Sequence, residues 1–337
     1  MTRVIVKDVR AYYASGRRPE VKAVDGVSFT IHDGEVFGIV GESGCGKSTL
    51  ASVMSLTAGR TLKVKSGEIT LDGETLPLAK QAEIPKDWHG KKVALLPQRA
   101  LNSLNPTARV RNIVIDVVRA HSLGVSPEEA VQRARERLEQ LSLPVRVLDN
   151  YPHQLSGGMR QRVVAVISTL LNPKVLIADE PTSALDVSSQ KQLVLLLEEL
   201  LERGFIACIV YITHDLPMLS TIADRIAVMY AGKIAEIGTT QEIVDRAEHP
   251  YTQALIGSTL DLDPEMRGRQ IKGIKGAPPD LCYPPPGCRF HPRCPYVMDI
   301  CTEEEPPIVG DETRFAACWW VKEKKAEQMS SMEGATP

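Results

Sequence analysis

The run GESGCGKST at residues 41–49 constrains this chain more than any other stretch. Glycines at 41, 44 and 46 punctuate it, and Lys47, Ser48 and Thr49 close it. Such glycines let the backbone curl with its N–H groups turned inward, which makes a nest for an anion. A lysine at the end of the loop adds a mobile positive charge, and the hydroxyl after it reaches a divalent cation. The flanks agree with this reading: residues 35–40 (EVFGIV) form a short apolar strand, and residues 49–56 continue as a helix. A helix opening at Lys47 points its positive dipole end at the bound anion. The pattern therefore predicts that Gly41, Ser43, Gly44, Cys45, Gly46, Lys47, Ser48 and Thr49 hold the phosphates of a nucleoside triphosphate, with Ser48 on its Mg²⁺.

With 337 residues, 43% of them hydrophobic, the chain is long enough for one large domain or two smaller ones. A net charge of −2 without a dominant basic run argues against a nucleic-acid binder. The longest apolar run, residues 205–212, falls well short of the about 18 residues that span a bilayer. The start MTRVIVKD lacks the apolar core of a secretion signal, so a soluble cytosolic chain is expected unless a membrane partner holds it.

Residues 3–31 read as two strands joined by the polar turn 14–20. Tyr12 and Tyr13 are adjacent and face opposite sides of their strand, so only one of them needs burial, and the other is free to stack on a base. Residues 67–73 (GEITLDG) predict a strand ending in an Asp-Gly turn, and residues 92–96 another. Gln98 follows that strand at its carboxyl end, where open α/β sheets place ligand contacts. Between about 107 and 155 the pattern turns helical: Ser126-Pro127-Glu128-Glu129 reads as a capping box, and Val131, Ala134, Leu138 and Leu141 form an apolar stripe.

Ser156, Gly157 and Gly158 make a good helix start with exposed N–H groups, a second anion-binding terminus. One nucleotide rarely needs two, so this one is expected to serve a nucleotide held by another subunit. Residues 175–178 (VLIA) form a buried strand that ends in Asp179 and Glu180. Asp179 is placed to hold the Mg²⁺ shell and Glu180 to polarise an attacking water. Residues 181–186 form a loop, residues 188–203 a helix closed by Gly204, and residues 205–213 the next strand, with His214 at its carboxyl end within reach of a γ-phosphate.

In this order the segments resemble the ATP-binding subunit of an ABC transporter over roughly residues 3–240. Residues 41–49 are similar to the Walker A loop, Gln98 to the Q-loop glutamine, and residues 155–159 to the LSGGQ signature with Met159 in place of its glutamine. Residues 175–180 resemble Walker B with its catalytic glutamate, residues 183–186 the D-loop, His214 the switch histidine, and Tyr13 the aromatic that stacks on adenine. The resemblance implies a P-loop NTPase (RecA-like) α/β core with an antiparallel β subdomain and a helical subdomain at about 99–160. It also implies Glu180, His214 and Gln98 as catalytic residues, with Ser48, Gln98 and Asp179 around Mg²⁺. ATP-binding subunits of this kind work as head-to-tail dimers in which each ATP lies between one Walker A loop and the other subunit's signature. The partners implied are a second ATPase subunit, two transmembrane permease subunits and an extracytoplasmic solute-binding protein, which put the chain peripherally on the cytoplasmic face of the cell membrane. A soluble ABC ATPase of the DNA-repair or translation kind would need a long coiled-coil insertion or a second cassette.

Residues 241–337 are Pro- and Cys-rich and resemble the C-terminal extension of the oligopeptide/dipeptide importer subfamily, whose relatives carry nickel and some oligosaccharides. The SLNP run at 103–106 resembles that group too, whereas Arg99 departs from its usual acidic residue. Cys288, Cys294, Cys301 and Cys318 are compatible with free thiols, disulfides, zinc or an iron–sulfur cluster. A cytosolic location disfavours disulfides, and structural zinc prefers tighter spacing. Ligation of a [4Fe–4S] cluster suits the pattern and is known in the resembled subfamily, with zinc as the alternative. The expected extension is small and irregular; Cys282 is read as a spare thiol, and Cys45 and Cys208 as packing residues.

Overall fold

Strands β1 (Val4–Tyr13) and β2 (Val21–Ile31) pair antiparallel, and β4 (Leu62–Leu71) pairs with the other edge of β1. With β5 (Glu74–Pro77) they make a four-stranded sheet in the order β2-β1-β4-β5. Asp72 and Gly73 both take positive φ, at 51° and 80°, which suits the twist of the two-residue β4–β5 hairpin. The Asp-Gly turn is thus where the sequence places it, but β4 begins at Leu62, five residues earlier than the pattern suggests. Alternating Val4, Val6, Val9 and Ala11 turn the apolar side of β1 inward.

The computed structural model describes residues 4–14, 16, 19–80, 84–85, 87–98, 104–121, 124–183, 185–258 and 273–333. Arg99, Ser103 and parts of the turn 14–20 lie outside the described residues.

The large sheet is built on runs that are apolar at almost every position: β3 (Val36–Val40), β6 (Val93–Leu96), β7 (Val175–Asp179), β8 (Cys208–Ile212) and β9 (Arg225–Tyr230). They lie parallel in the order β9-β3-β8-β7-β6, and burial on both faces is why they are not amphipathic. Alternate residues feed two cores. Phe37, Ile39, Val175, Ile177, Val210 and Ile212 pack toward the small sheet and helix α1 (Lys47–Met54). Val36, Val40, Leu176, Ala178, Ile209 and Tyr211 pack toward the helices on the other side. Each such side chain contributes about 1.5–3 kcal/mol by leaving water.

Those helices are α2 (Val110–His121), α3 (Pro127–Gln140), α4 (Gly157–Ser168) and α5 (Val187–Glu202). Ser126 caps α3 by accepting from Glu129 N at 3.1 Å. The expected reciprocal half of the capping box does not form, because the Glu129 carboxylate pairs with Arg133 one turn on, at 2.6 Å. The stripe of α3 includes a residue the apolar pattern skips: Arg137 is buried among Ala134, Leu138 and Leu141. Its guanidinium donates to Thr169 O at 2.9 Å and to Asn172 Oδ1 at 2.6 Å, and lies 3.6 Å over the Phe205 ring. Burial pushes its pKa down to about 10.

After β8 come the short α6 (Leu216–Leu219), then β9 and β10 (Lys233–Thr239), which turn back antiparallel. Strand β8 begins at Cys208 rather than at 205, and α5 is capped by Asp186, whose carboxylate accepts from Ser189 N at 2.9 Å. Helices α7 (Thr240–Arg246) and α8 (Pro250–Gly257) follow. The extension, expected to be irregular, instead supplies α9 (Ile300–Glu303), β11 (Ile308–Gly310), β12 (Phe315–Ala317) and α10 (Trp319–Glu333). Phe315 and Ala316 of β12 pair with Ile237 and Glu236 of β10, so these strands extend the edge of the main sheet. Among the described residues no helix is long and apolar enough to cross a membrane.

Candidate nucleotide site

The loop of residues 41–46 joins β3 to α1, and two of its glycines are required by close backbone approach. A Cβ on Gly46, at φ 108°, would lie 1.9 Å from Ala23 O, and one on Gly41 would lie 2.1 Å from Met229 O. Lys47 opens α1 and is buried; its Nζ donates to Gly41 O at 2.7 Å and to Glu42 O at 3.1 Å. Ser48 Oγ donates to Asp179 Oδ1 at 3.1 Å, bringing the first turn of α1 to the end of β7. Cys45 is buried as expected for a packing residue, and burial raises its thiol pKa. Cys208 is likewise buried.

Three strand ends deliver the remaining polar groups. Gln98 Nε2 donates to Glu180 Oε2 at 2.7 Å, and His214 Nδ1 lies 3.0 Å from Glu180 Oε1. Glu180 itself has φ 44°, a backbone state that costs a non-glycine residue energy and clusters at functional sites. Its N–H donates to Ile212 O at 2.8 Å, which ties the turn after β7 to the end of β8. The two adjacent carboxyls are driven apart. Burial raises Asp179, Glu180's charge adds to the rise, and Ser48 opposes it. Burial also acts upward on Glu180, but His214 and Gln98 outweigh it and hold that carboxyl below its ordinary value.

One open pocket is lined by Ser43, Gly44, Gly46, Lys47, Ser48 and Thr49 together with Gln98 and Glu180, whereas Gly41, Cys45, Asp179 and His214 do not line it. Tyr13 lines the near side, partly exposed, with its hydroxyl 3.3 Å from Thr49 Oγ1. Tyr12 is the anchored member of the pair: its hydroxyl donates to Asp25 Oδ1 at 2.6 Å, and burial first, then Asp25, pushes its pKa up to about 12. Ser156, Gly157 and Gly158 do not join this pocket. They open α4, where Ser156 Oγ accepts from Met159 N at 3.3 Å, and Gly158 is packed so closely on α5 that a Cβ there would meet Ser189 Oγ at 2.6 Å.

Sequence reasoning missed the wall contributed by the extension. Leu281 lines the pocket and is fixed by Lys22 N donating to its carbonyl at 3.0 Å. Arg293 grips the carboxylate of Glu42, and Tyr251 OH accepts from Glu42 N at 3.0 Å. The available signal was the acidic side chain inside an anion-binding loop, which calls for a cation elsewhere in the chain.

All seven cysteines are unbridged. Among the described residues no group of three or more His, Cys, Asp or Glu side chains could hold a metal ion, so the expected ligand set of Cys288, Cys294, Cys301 and Cys318 is not assembled around a single ion. The four thiols are nevertheless neighbours: burial first, then Cys318, Cys301 and Cys294, pushes the Cys288 thiol up to about 12, and burial, then Cys318 and Cys301, pushes Cys294 up to about 11. Backbone N–H groups are aimed at three of the sulfurs: Phe290 at Cys288, Tyr296 at Cys294 (3.4 Å), and Val321 and Trp320 at Cys318.

Comparison with known proteins places these features in a family. Residues 24–183 match the ABC transporter family, and residues 235–301 match the oligopeptide/dipeptide transporter C-terminal region. The chain is 43% identical to the dipeptide transport ATP-binding protein DppD of Caldanaerobacter subterraneus subsp. tengcongensis, covering 93% of this chain and 95% of that protein. Its identity to Bacillus subtilis DppD is 41%, over 91% of each chain. To the oligopeptide transport ATP-binding protein OppD of Salmonella typhimurium it is 38%, over 93% and 92%. Among solved structures, the dimeric post-hydrolysis state of the ATP-binding cassette MJ0796 bound to ADP and Pi matches with a TM-score of 0.59 at 27% identity, covering 70% of this chain and 98% of that one.

Proposed function

The chain belongs to the ABC transporter family, among the ATP-binding subunits of dipeptide and oligopeptide importers, and from that premise we propose that its ATP hydrolysis drives peptide uptake through a pair of permease subunits. The observation that carries the chemistry is the convergence of Gln98, Glu180 and His214 at the far side of a complete phosphate loop. Gly41, Ser43, Gly44, Cys45 and Gly46 offer backbone N–H groups, Lys47 and Thr49 flank the phosphates, and Tyr13 stacks on the base. Ser48, Asp179 and Gln98 would hold Mg²⁺, whose charge would offset that of the phosphates. Glu180, kept ionised by its neighbours, accepts a proton from the attacking water, and His214 donates to the γ-phosphate.

Ser156, Gly157 and Gly158 serve the ATP of a second ATPase subunit. Support comes from their place outside the pocket at a helix start whose residues Ser156 and Gly157 are exposed. The region after residue 240 functions as an appended unit on a nucleotide-binding domain of residues 1–240. Its Cys288, Cys294, Cys301 and Cys318 carry a [4Fe–4S] cluster. Backbone donors aimed at sulfur support this, since such bonds stabilise thiolate ligands of clusters. The subunit docks on the cytoplasmic face of the membrane, with a solute-binding protein on the far side.

The test is ATP turnover by the reconstituted importer. Peptide-loaded solute-binding protein should stimulate phosphate release several-fold. Stimulation by a nickel complex or an oligosaccharide, with none by peptides, would contradict the peptide reading.

A further inference from the structure

Glu42 is an awkward residue to find where it is. It follows Gly41 in the loop assigned to the triphosphate, and a carboxylate in such a loop is repelled by a polyanion. Its charge is met from the other end of the chain. Arg293 Nη1 lies 2.6 Å from Glu42 Oε2 and Nη2 lies 3.0 Å from Oε1, a two-pronged pair in which the arginine side chain is only 5% exposed. The rest of the guanidinium is committed as well: Nε donates to Lys275 O at 2.8 Å, and Nη1 stands 3.3 Å from Tyr230 OH. The main chain of Glu42 is held by the fully buried Tyr251, and its carbonyl accepts from Lys47 Nζ. Whatever moves Glu42 therefore moves the carbonyl on which Lys47 rests.

Accepting the assignment of ATP to residues 41–49, we propose that Arg293 is a positioning residue for ATP: it neutralises and holds the carboxylate of Glu42, so that the C-terminal extension supplies part of the nucleotide site in cis. Arg293 does not line the pocket; it acts through Glu42. Removing it frees a carboxylate beside the phosphates, and removing that carboxylate as well cancels the harm.

The test is the affinity of the full-length chain for MgATP and MgADP, by calorimetric titration at low and high ionic strength. Arg293→Gln should bind MgATP roughly tenfold more weakly, by the size of coupling expected for groups sharing one network. The loss should be smaller for MgADP, which carries less charge, and should shrink in salt. Glu42→Gln with Arg293→Gln should return to within about twofold of the wild-type chain. Glu42→Gln alone, with Arg293 left unopposed, should bind MgATP more tightly, which keeps the idea testable if Arg293→Gln fails to fold. Wild-type affinity in Arg293→Gln, a double variant as weak as the single one, or weaker binding by Glu42→Gln would each overturn the proposal. A wild-type chain that binds no MgATP would instead overturn the ATP assignment on which it rests.

Discussion

His214 Nδ1 lies 3.0 Å from Oε1 of Glu180, so the side chain at the end of β8 is hydrogen-bonded to the carboxylate at the end of β7 before any nucleotide is considered. Gln98, at the end of β6, holds the other oxygen at 2.7 Å. Three neighbouring strand ends thus fix one carboxylate from both sides and keep it ionised. A base that is already charged and already aimed needs little reorganisation when water and phosphate arrive.

Replacing His214 with Ala removes one of those two holds and, in the proposed chemistry, the donor to the γ-phosphate. Turnover in the assembled importer should drop on the order of 100-fold while the affinity for MgATP changes little. Steady-state phosphate release and nucleotide binding measured on the same preparation check this. Turnover within about twofold of wild type would remove His214 from the chemistry.

The extension brings a pH dependence centred on a buried histidine. His249 is wholly buried; its Nδ1 accepts from Tyr251 N at 3.0 Å, and burial lowers its pKa from 6.5 to about 4. The unfolded chain therefore takes up the proton first, so this contribution to stability is complete above about pH 6.5 and is lost as the pH falls toward 4. Between pH 7 and pH 5 the loss is about 2 kcal/mol. Glu236 accepts from His249 N and is raised by burial, so it acts in the opposite sense. His249→Asn preserves the acceptor for Tyr251 N–H and isolates the histidine: its denaturant midpoint should fall less than that of wild type on acidification. Parallel pH curves would contradict the assignment.

Protein purified without oxygen should show broad visible absorption and contain about four irons per chain. Replacing Cys294 and Cys301 with Ala should abolish both signals. A colourless protein with one zinc per chain would contradict the cluster.

Local chemistry was the legible part of this chain. Residues 41–49, 156–158 and 175–180 form the loop opening a helix, the capped helix start and the buried strand that their consecutive residues predict, so their local geometry follows from adjacency alone. Four of the five parallel strands, β3, β6, β7 and β8, were legible as apolar runs because both their faces are covered, whereas β9 was not singled out. What adjacency cannot convey is pairing across hundreds of positions. Arg293 meets Glu42 across 251 residues, and Arg289 meets Asp25 across 264. Strand β12 spans three residues, too few for any period to register, and it exists because β10 offers an unpaired edge. Arg137 was passed over because a charged side chain on an apolar stripe reads as an interruption, whereas here Thr169 and Asn172 accept from its two terminal nitrogens.

Glu180→Gln in the importer reconstituted with its permease subunits and solute-binding protein bears most directly on the chemistry at the end of β7. The amide keeps the shape of the side chain and its place beside Gln98 and His214, but it cannot take a proton from water. With MgATP and peptide, the variant should retain ATP in a stable closed assembly and release no phosphate above background. Phosphate release at the wild-type rate would contradict the role of Glu180 and the hydrolysis built around it.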